Sequence, residues 1–382
     1  MLPTTYLALS GERFRVTYRL TGDEAQAGDK ARDICIEQTV EFPEGLLPDG
    51  DIREHIVGRI ESLQRVSAKS CEVVISYAVE TTGFDFVQLL NVMFGNSSIK
   101  PGIRVERLDL PDSLLRAFKG PRFGQAGLRA LVGVGERPLL CTALKPMGLP
   151  PSELAKMAYQ VALGGIDLIK DDHGMADQSF ASFAERVSRC AEAVARANQE
   201  TGHNCLYLPN VPGPVDRVVE RGLFAKEAGA GGLLVSPGLL GFDAMRLLAA
   251  DDAIGLPIMA HPAFQGSFVT SPDMGVSHYV LFGQIPRLAG ADVTIFPNFG
   301  GRFSFSKEDC TLLAQGCVTP MGHIRPIFPA PAGGMTLERV PEMLEVYGRD
   351  VIFLIGGGLH QRGPDLTENS RYFRQLVETL AG

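Results

Sequence analysis

The stretch GGIDLIKDDHG, residues 164–174, decides how this chain is read. A short apolar run from Ile166 to Ile169 ends in Lys170, Asp171, Asp172 and His173. Side chains alternate faces along a strand, so Lys170 and Asp172 project one way and Asp171 the other. Taken alone, the segment is accounted for by an internal Lys–Asp ion pair. The same geometry also converges a lysine-derived group and a carboxylate oxygen on one ion.

Working outward, short apolar runs recur: PLLCTAL (138–144), IDLIK (166–170), CLYLPN (205–210), GGLLVSP (231–237), PIMAHP (257–262), ADVTIFP (291–297), IRPIFPA (324–330) and DVIFLIGGG (350–358). Helix-compatible stretches separate them, among them 151–165, 180–200, 215–229, 277–290 and 336–348. Eight strand-then-helix units are the repeat of a parallel (β/α)8 TIM barrel, with a doubly wound open sheet as the competing fold. Even spacing favours closure, and the polar and glycine residues fall directly after the apolar runs, where a barrel places its active site. Residues 1–130 differ. RFRVTYRLTG (13–22) and KSCEVVISYAVE (69–80) read as strands flanking a helical DIREHIVGRIESLQRV (51–66). We therefore expect an α/β protein with an N-terminal α+β, ferredoxin-like domain over 1–130 and a barrel over 131–382.

Composition narrows the function. With 382 residues and 45% hydrophobic content the chain can bury a large core. Its net charge of −8 and lack of a basic run argue against nucleic acid as a partner. Met1 to Ser10 lack the features of a secretory signal, no apolar run reaches membrane-spanning length, and seven cysteines without a CxxC pair suit a reduced, cytoplasmic setting.

The strand ends collect Lys145, Lys170, Asp172, His173, Asn210, His261, Asn298 and Arg302, then Gly333–Gly334 and Gly356–Gly357–Gly358. Singly each has an ordinary explanation: a structural histidine, a turn glycine, an ion pair. The glycine runs follow strands seven and eight, where barrels commonly bind phosphate through backbone N–H groups, and a Cβ would block close approach. A lysine in a dry pocket can move a proton near neutral pH, and another can take up CO2 as a carbamate, an anionic oxygen ligand. Carbamate and Asp172 oxygens are ligands of the kind Mg2+ prefers, and the ion would stabilise an enediolate.

These residues resemble the large-subunit superfamily of ribulose bisphosphate carboxylase/oxygenase (RuBisCO). CTALKP (141–146) is similar to its first-strand Thr-x-x-Lys-Pro motif, and GGIDLIKDDHG to its metal-site Gly-Gly-x-Asp-x-x-Lys-Asp-Asp-Glu. RLAGAD (287–292), PAPAGGM (329–335) and IGGG (355–358) resemble the later strand elements. NVMFG (91–95) resembles the N-domain segment that reaches a neighbouring subunit's site, which implies a homodimer or an assembly of dimers with Asn91 catalytic. Glu37 resembles the family's active-site glutamate, without the Thr-Trp that follows it there.

The departures redirect the function. His173 stands where the family has a glutamate ligand, which suits transition metals better than Mg2+ and opens the site to Mn2+ or another divalent ion. Met147 replaces a second lysine, Pro262 a phosphate-binding arginine, Ile295 a histidine, Ala332 a serine, and Arg302 the loop-six lysine. The resemblance therefore implies a RuBisCO-like (form IV) enzyme that enolises or isomerises a phosphorylated ketose, such as 5-methylthioribulose 1-phosphate, rather than fixing CO2. In it Lys170, as carbamate, Asp172 and His173 hold the metal. Lys145 moves the proton, with Lys170 and His261 also in the catalytic set. Asn210 and Arg302 contact substrate, and Gly333, Gly334, Gly357 and Gly358 hold one phosphate. A carboxy-lyase or C–C hydrolase of a phosphorylated oxo sugar acid, and a non-catalytic binding protein, are the alternatives. Met147, Phe264 and Phe299 are candidates for an apolar wall or for plain core packing.

Overall fold

Contacts between Cα atoms divide the chain into two units. A computed structural model describes residues 4–381. The first unit runs to Phe118 and includes Gln265–Ile285 and Pro320–Ile324; the second holds Lys119–Phe264, Pro286–Thr319 and the chain from Arg325 onward.

In the first unit a five-stranded sheet runs in the order Gly275–Val276, Ile103–Asp109, Arg13–Thr21, Ser70–Ala78, Arg59–Ser67. Its central strand buries Phe14, Val16, Tyr18 and Leu20, the period-two pattern of a covered face. Helix Glu24–Glu37 starts at a capping box, in which Asp23 accepts from Gln26 N and the Gln26 side chain accepts from Asp23 N.

The helical reading of 51–66 is wrong. One wide turn, Ile52–Ile56, gives way at Gly58 to strand Arg59–Ser67, paired antiparallel with Ser70–Ala78. Ile52, Ile56, Ile60 and Leu63 have helical spacing, but register shifts at Ile60/Ser62 and Arg65/Ser67 break the alternation that would have marked a strand. Gly58 is required there, since a Cβ would lie 2.9 Å from Cys35 Cα of the helix.

The second unit is the expected TIM barrel. Among the described residues its strands are Leu139–Leu144, Leu168–Asp171, Leu206–Leu208, Leu233–Val235, Ile258–Ala260, Val293–Pro297, Phe328–Ala332 and Ile352–Leu354, all paired in parallel. They hydrogen-bond as 8-1-2-3 and 7-6-5-4, with a parallel bridge from Asn210 to Leu234 between the third and fourth. All of them send side chains to one buried core, including Leu139, Leu168, Leu208, Leu234, Met259, Ile295, Phe328 and Ile352. Leu128 and Val132 of helix Gly124–Val132 close it from below. The glycine pair that opens the key stretch is structural: a Cβ at Gly164 would come within 2.3 Å of Ser370 Cβ on helix Leu366–Ala381, and Gly165 has φ +87°.

At the start of strand six, buried Asp292 accepts from Phe123 N and Gly124 N at one oxygen and from Ile258 N at the other. Burial outweighs those donors and pushes its carboxyl up to about 6. A raised carboxyl stabilises the fold fully below its unfolded pKa, and that contribution is lost as pH rises through the folded value. The stability advantage of the wild type over Asp292→Asn is therefore expected to narrow by roughly 3 kcal/mol between about pH 4 and pH 7. Urea unfolding across that window checks it; a gap independent of pH would contradict it. No helix among the described residues is long and apolar enough to cross a membrane.

Candidate active site

Strand two delivers the site as alternation requires. Lys170 faces inward at 3% exposure with Nζ donating to Asp171 O at 3.0 Å, while Asp171 is turned away and fully buried. Burial lowers the Lys170 pKa against the opposing pull of Cys141, Asp172 and Asp171. A neutral amine is the form that adds CO2, so the environment fits a carbamate.

Lys145, just beyond strand one, places Nζ 2.7 Å from Asp172 Oδ2. Burial raises the Asp172 carboxyl, but hydrogen bonds from Lys145 and Gly174 N and the charges of Lys145 and Lys170 bring it down to about 2. His173 Nδ1 lies 3.3 Å from Asp172 Oδ1, and its ring stacks on His261 with centroids 4.2 Å apart and planes 14° apart. Burial, then the Lys170 charge, lowers the His261 pKa to about 2. His261 is therefore neutral. Its Nδ1 accepts from Ala263 N at 3.2 Å, which leaves the hydrogen on Nε2 as a donor.

Asp171 anchors this arrangement from outside. Its carboxylate accepts from Arg186 Nε at 3.0 Å, Tyr207 Oη at 2.8 Å and Asn210 N at 3.1 Å. Arg186 Nη1 also holds the carbonyls of Ala176 and Ala181, so one guanidinium ties strand two to the loop that carries the site. Asn210, expected to contact substrate, directs its side-chain nitrogen into the protein. At 2% exposure its Nδ2 donates to the His173 and Met175 carbonyls at 2.9 and 2.8 Å. It positions His173. The Arg186–Asp171 pair is fully buried. Arg186→Met, which strands the Asp171 charge, should cost about 3–5 kcal/mol in urea unfolding. A loss below about 1 kcal/mol would mean that the carboxylate is adequately held by its other donors.

The glycine loops meet. Gly333 and Gly334 have φ +84° and +91°, and a Cβ at Gly358 would come 2.6 Å from Met335 O, whereas one at Gly357 would face open space. Gly357 opens the short helix Gly357–His360. Exposed Arg302 donates from its backbone N to Gly333 O and lies over the Phe303 ring; burial lowers the His173 pKa, with the charges of Lys170, Lys145 and Arg302 acting in the same direction.

The structure thus gathers Lys145, Lys170, Asp172, His173 and His261. Asn91 belongs to the first unit, exposed on helix Phe86–Phe94 with Nδ2 donating to Gln88. Glu37, also in the first unit, accepts from Asn96 and Lys100. Asn298 is structural, bonded to Met335 and Tyr347. Phe299, 7% exposed beneath Arg339 and Lys307, is core; Met147 and Phe264 are exposed. All seven cysteines are buried, and none forms a disulfide.

Two residues escaped sequence reasoning. Arg186 had a signal, a charge on the apolar face Phe183, Val187, Cys190, Val194 of helix Phe183–Thr201. His360, half-buried at the end of its short helix, has a pKa lowered by burial and by the Lys145 charge, and the backbone at Gly356 approaches the Lys145 side chain, a Cβ there lying 4.0 Å from its Cε. No group of three or more His, Cys, Asp or Glu gathers to hold a metal among the described residues. Asp172 and His173 would need the Lys170 carbamate to complete an ion site.

Comparison with known proteins places this geometry in context. Residues 125–302 match the family model described as ribulose bisphosphate carboxylase large chain, catalytic domain. The chain is 41% identical to the 5-methylthioribulose-1-phosphate isomerase of Rhodospirillum rubrum, over 97% of each protein. It is 32% identical to the 2,3-diketo-5-methylthiopentyl-1-phosphate enolase of Bacillus velezensis, covering 95% of this chain and 91% of that one. The crystal structure of a Rubisco-like protein from Rhodopseudomonas palustris superposes with a TM-score of 0.88 at 40% identity, covering 97% and 99% of the two chains.

Proposed function

We propose, from the premise that this chain belongs to the ribulose bisphosphate carboxylase large-chain family and to its RuBisCO-like members, that it isomerises a phosphorylated ketose through an enediolate and does not fix CO2. 5-Methylthioribulose 1-phosphate is the proposed substrate, supported by the relative from Rhodospirillum rubrum. The single observation that carries the reading is the convergence of buried Lys170, Asp172 bonded to Lys145, and the stacked His173–His261 pair.

Lys170, as its carbamate, Asp172 and His173 would hold a divalent ion, Mg2+ or Mn2+, with the nitrogen of His173 favouring the latter. When bound, the ion acts as a Lewis acid toward the developing enediolate oxygens. Lys145, at the mouth, in its unprotonated form and released from Asp172, takes the proton from the carbon alpha to the carbonyl and returns it to the neighbouring carbon. The Nε2–H of His261 donates to the substrate oxygen on which negative charge develops, from an imidazole that burial keeps neutral. Backbone N–H groups around Gly333, Gly334, Gly357 and Gly358 take the phosphate, with Arg302 at the rim. A homodimer, with Asn91 of one subunit completing the site of the other, belongs to the same proposal. The enolase activity named for the Bacillus velezensis relative is likewise an enolisation.

Proton NMR in D2O tests the reading with purified protein, Mg2+ or Mn2+, bicarbonate and a panel of ketose monophosphates. Deuterium incorporation or isomer formation with 5-methylthioribulose 1-phosphate is expected. Silence in metal-loaded protein moves the assignment to cleavage of phosphorylated oxo-acids; silence in protein that binds no metal moves it to a binding protein.

A further inference from the structure

Three non-glycine residues among those described have left-handed φ, Glu41, Phe84 and Phe264, and of these Phe264, at +67°, is the one in the second unit. A bulky side chain rarely adopts that conformation, and when it does the cause is worth finding. The ring is 73% exposed, so packing within the chain does not offset the strain. Exposure and strain together mark a side chain held out toward something else.

The path of the chain explains where it is held. Strand five ends at Ala260; His261 N is fixed to Val235 O at 2.8 Å, and its ring accepts from Ala263 N across Pro262. The turn that sets the tautomer of His261 therefore also throws out Phe264, three residues further on. His261 in turn lies 4.2 Å from the His173 ring. Two other exposed apolar groups have neighbours: the Met147 methyl sits close enough to Gly174 that a Cβ there would come within 2.6 Å, and the Phe303 ring lies against Gly333 and under Arg302.

We propose that Phe264 is a specificity residue that receives the apolar, alkylthio end of the substrate. This rests on the isomerase reading above. The loop after strand five stands three strands round the barrel from the glycine loop after strand eight. A ketose held there by its phosphate, with its oxygens over Lys170 and Asp172, extends away from the glycines toward the aromatic ring. Sulfur and methyl groups pack favourably on such a ring, and a hydroxyl in their place does not.

The test compares 5-methylthioribulose 1-phosphate with ribulose 1-phosphate, by deuterium exchange, in the wild type and in Phe264→Gly. Glycine accepts the left-handed backbone without strain, so the thermal midpoint should hold or rise. The kcat/KM ratio in favour of the alkylthio substrate should fall roughly tenfold. An unchanged ratio in Phe264→Gly, a lowered midpoint that marks the ring as structural, or a wild type that handles both substrates equally overturns this inference alone. A wild type silent toward both overturns the isomerase reading, and this inference with it.

Discussion

Lys170→Ala is expected to abolish deuterium exchange, by at least about a thousandfold, while leaving the fold intact. The expectation follows from how few ligands the site has without this residue. Asp172 and His173 alone do not make an ion site, and no cluster of three acidic, histidine or cysteine side chains stands in for one among the described residues. Lys170 is 3% exposed with its ammonium form disfavoured by burial, which is the state needed to add CO2. Removing the amine relieves a desolvation cost that offsets part of the packing lost with its buried stem, so only a modest loss of thermal midpoint is expected. Three readouts should fail together in the variant: exchange, divalent-ion binding by calorimetry, and the carbamate carbon signal in protein equilibrated with 13C-bicarbonate. Exchange and ion binding that both survive in Lys170→Ala would remove the carbamate from the mechanism.

The barrel was legible because each of its strands is short, apolar and bounded by polar or glycine residues, and the alternation rule put Lys170 and Asp171 on opposite faces as observed. What escaped has physical causes. Arg59–Ser67 is an edge strand, largely exposed and twice shifted in register, so its sequence carries neither a covered face nor a clean period of two. Asn210 stands at a strand end like a substrate-binding residue, and its side-chain nitrogen is committed to the carbonyls of His173 and Met175. That commitment depends on the path of the loop over 172–182, which spacing does not encode. Arg186 is the converse case: its place on an apolar helix face was visible, but its partner Asp171 is legible only once strand and helix are packed together.

Lys145→Met should separate proton transfer from ion binding. The substitution keeps the length of the side chain beside Gly356 and removes only the amine. If Lys145 carries the proton, kcat should fall roughly 10²- to 10⁴-fold, with exchange and isomerisation falling together. Substrate affinity and divalent-ion binding should change far less, because Lys170, Asp172, His173 and the glycine loops remain. The variant also carries a signature in acid. Asp172 is held at about 2 by its bond to Lys145 and by other partners, so its contribution to stability is present above its unfolded pKa and is lost as pH falls through about 2. Without Lys145 that carboxyl moves up toward the ordinary range. The difference in stability between wild type and variant should then shrink as the medium is acidified through that window. Retained turnover in Lys145→Met, with the acid shift present, would show that the lysine only pairs with Asp172 and that the proton is carried elsewhere; His360, beside it, is then the next residue to replace.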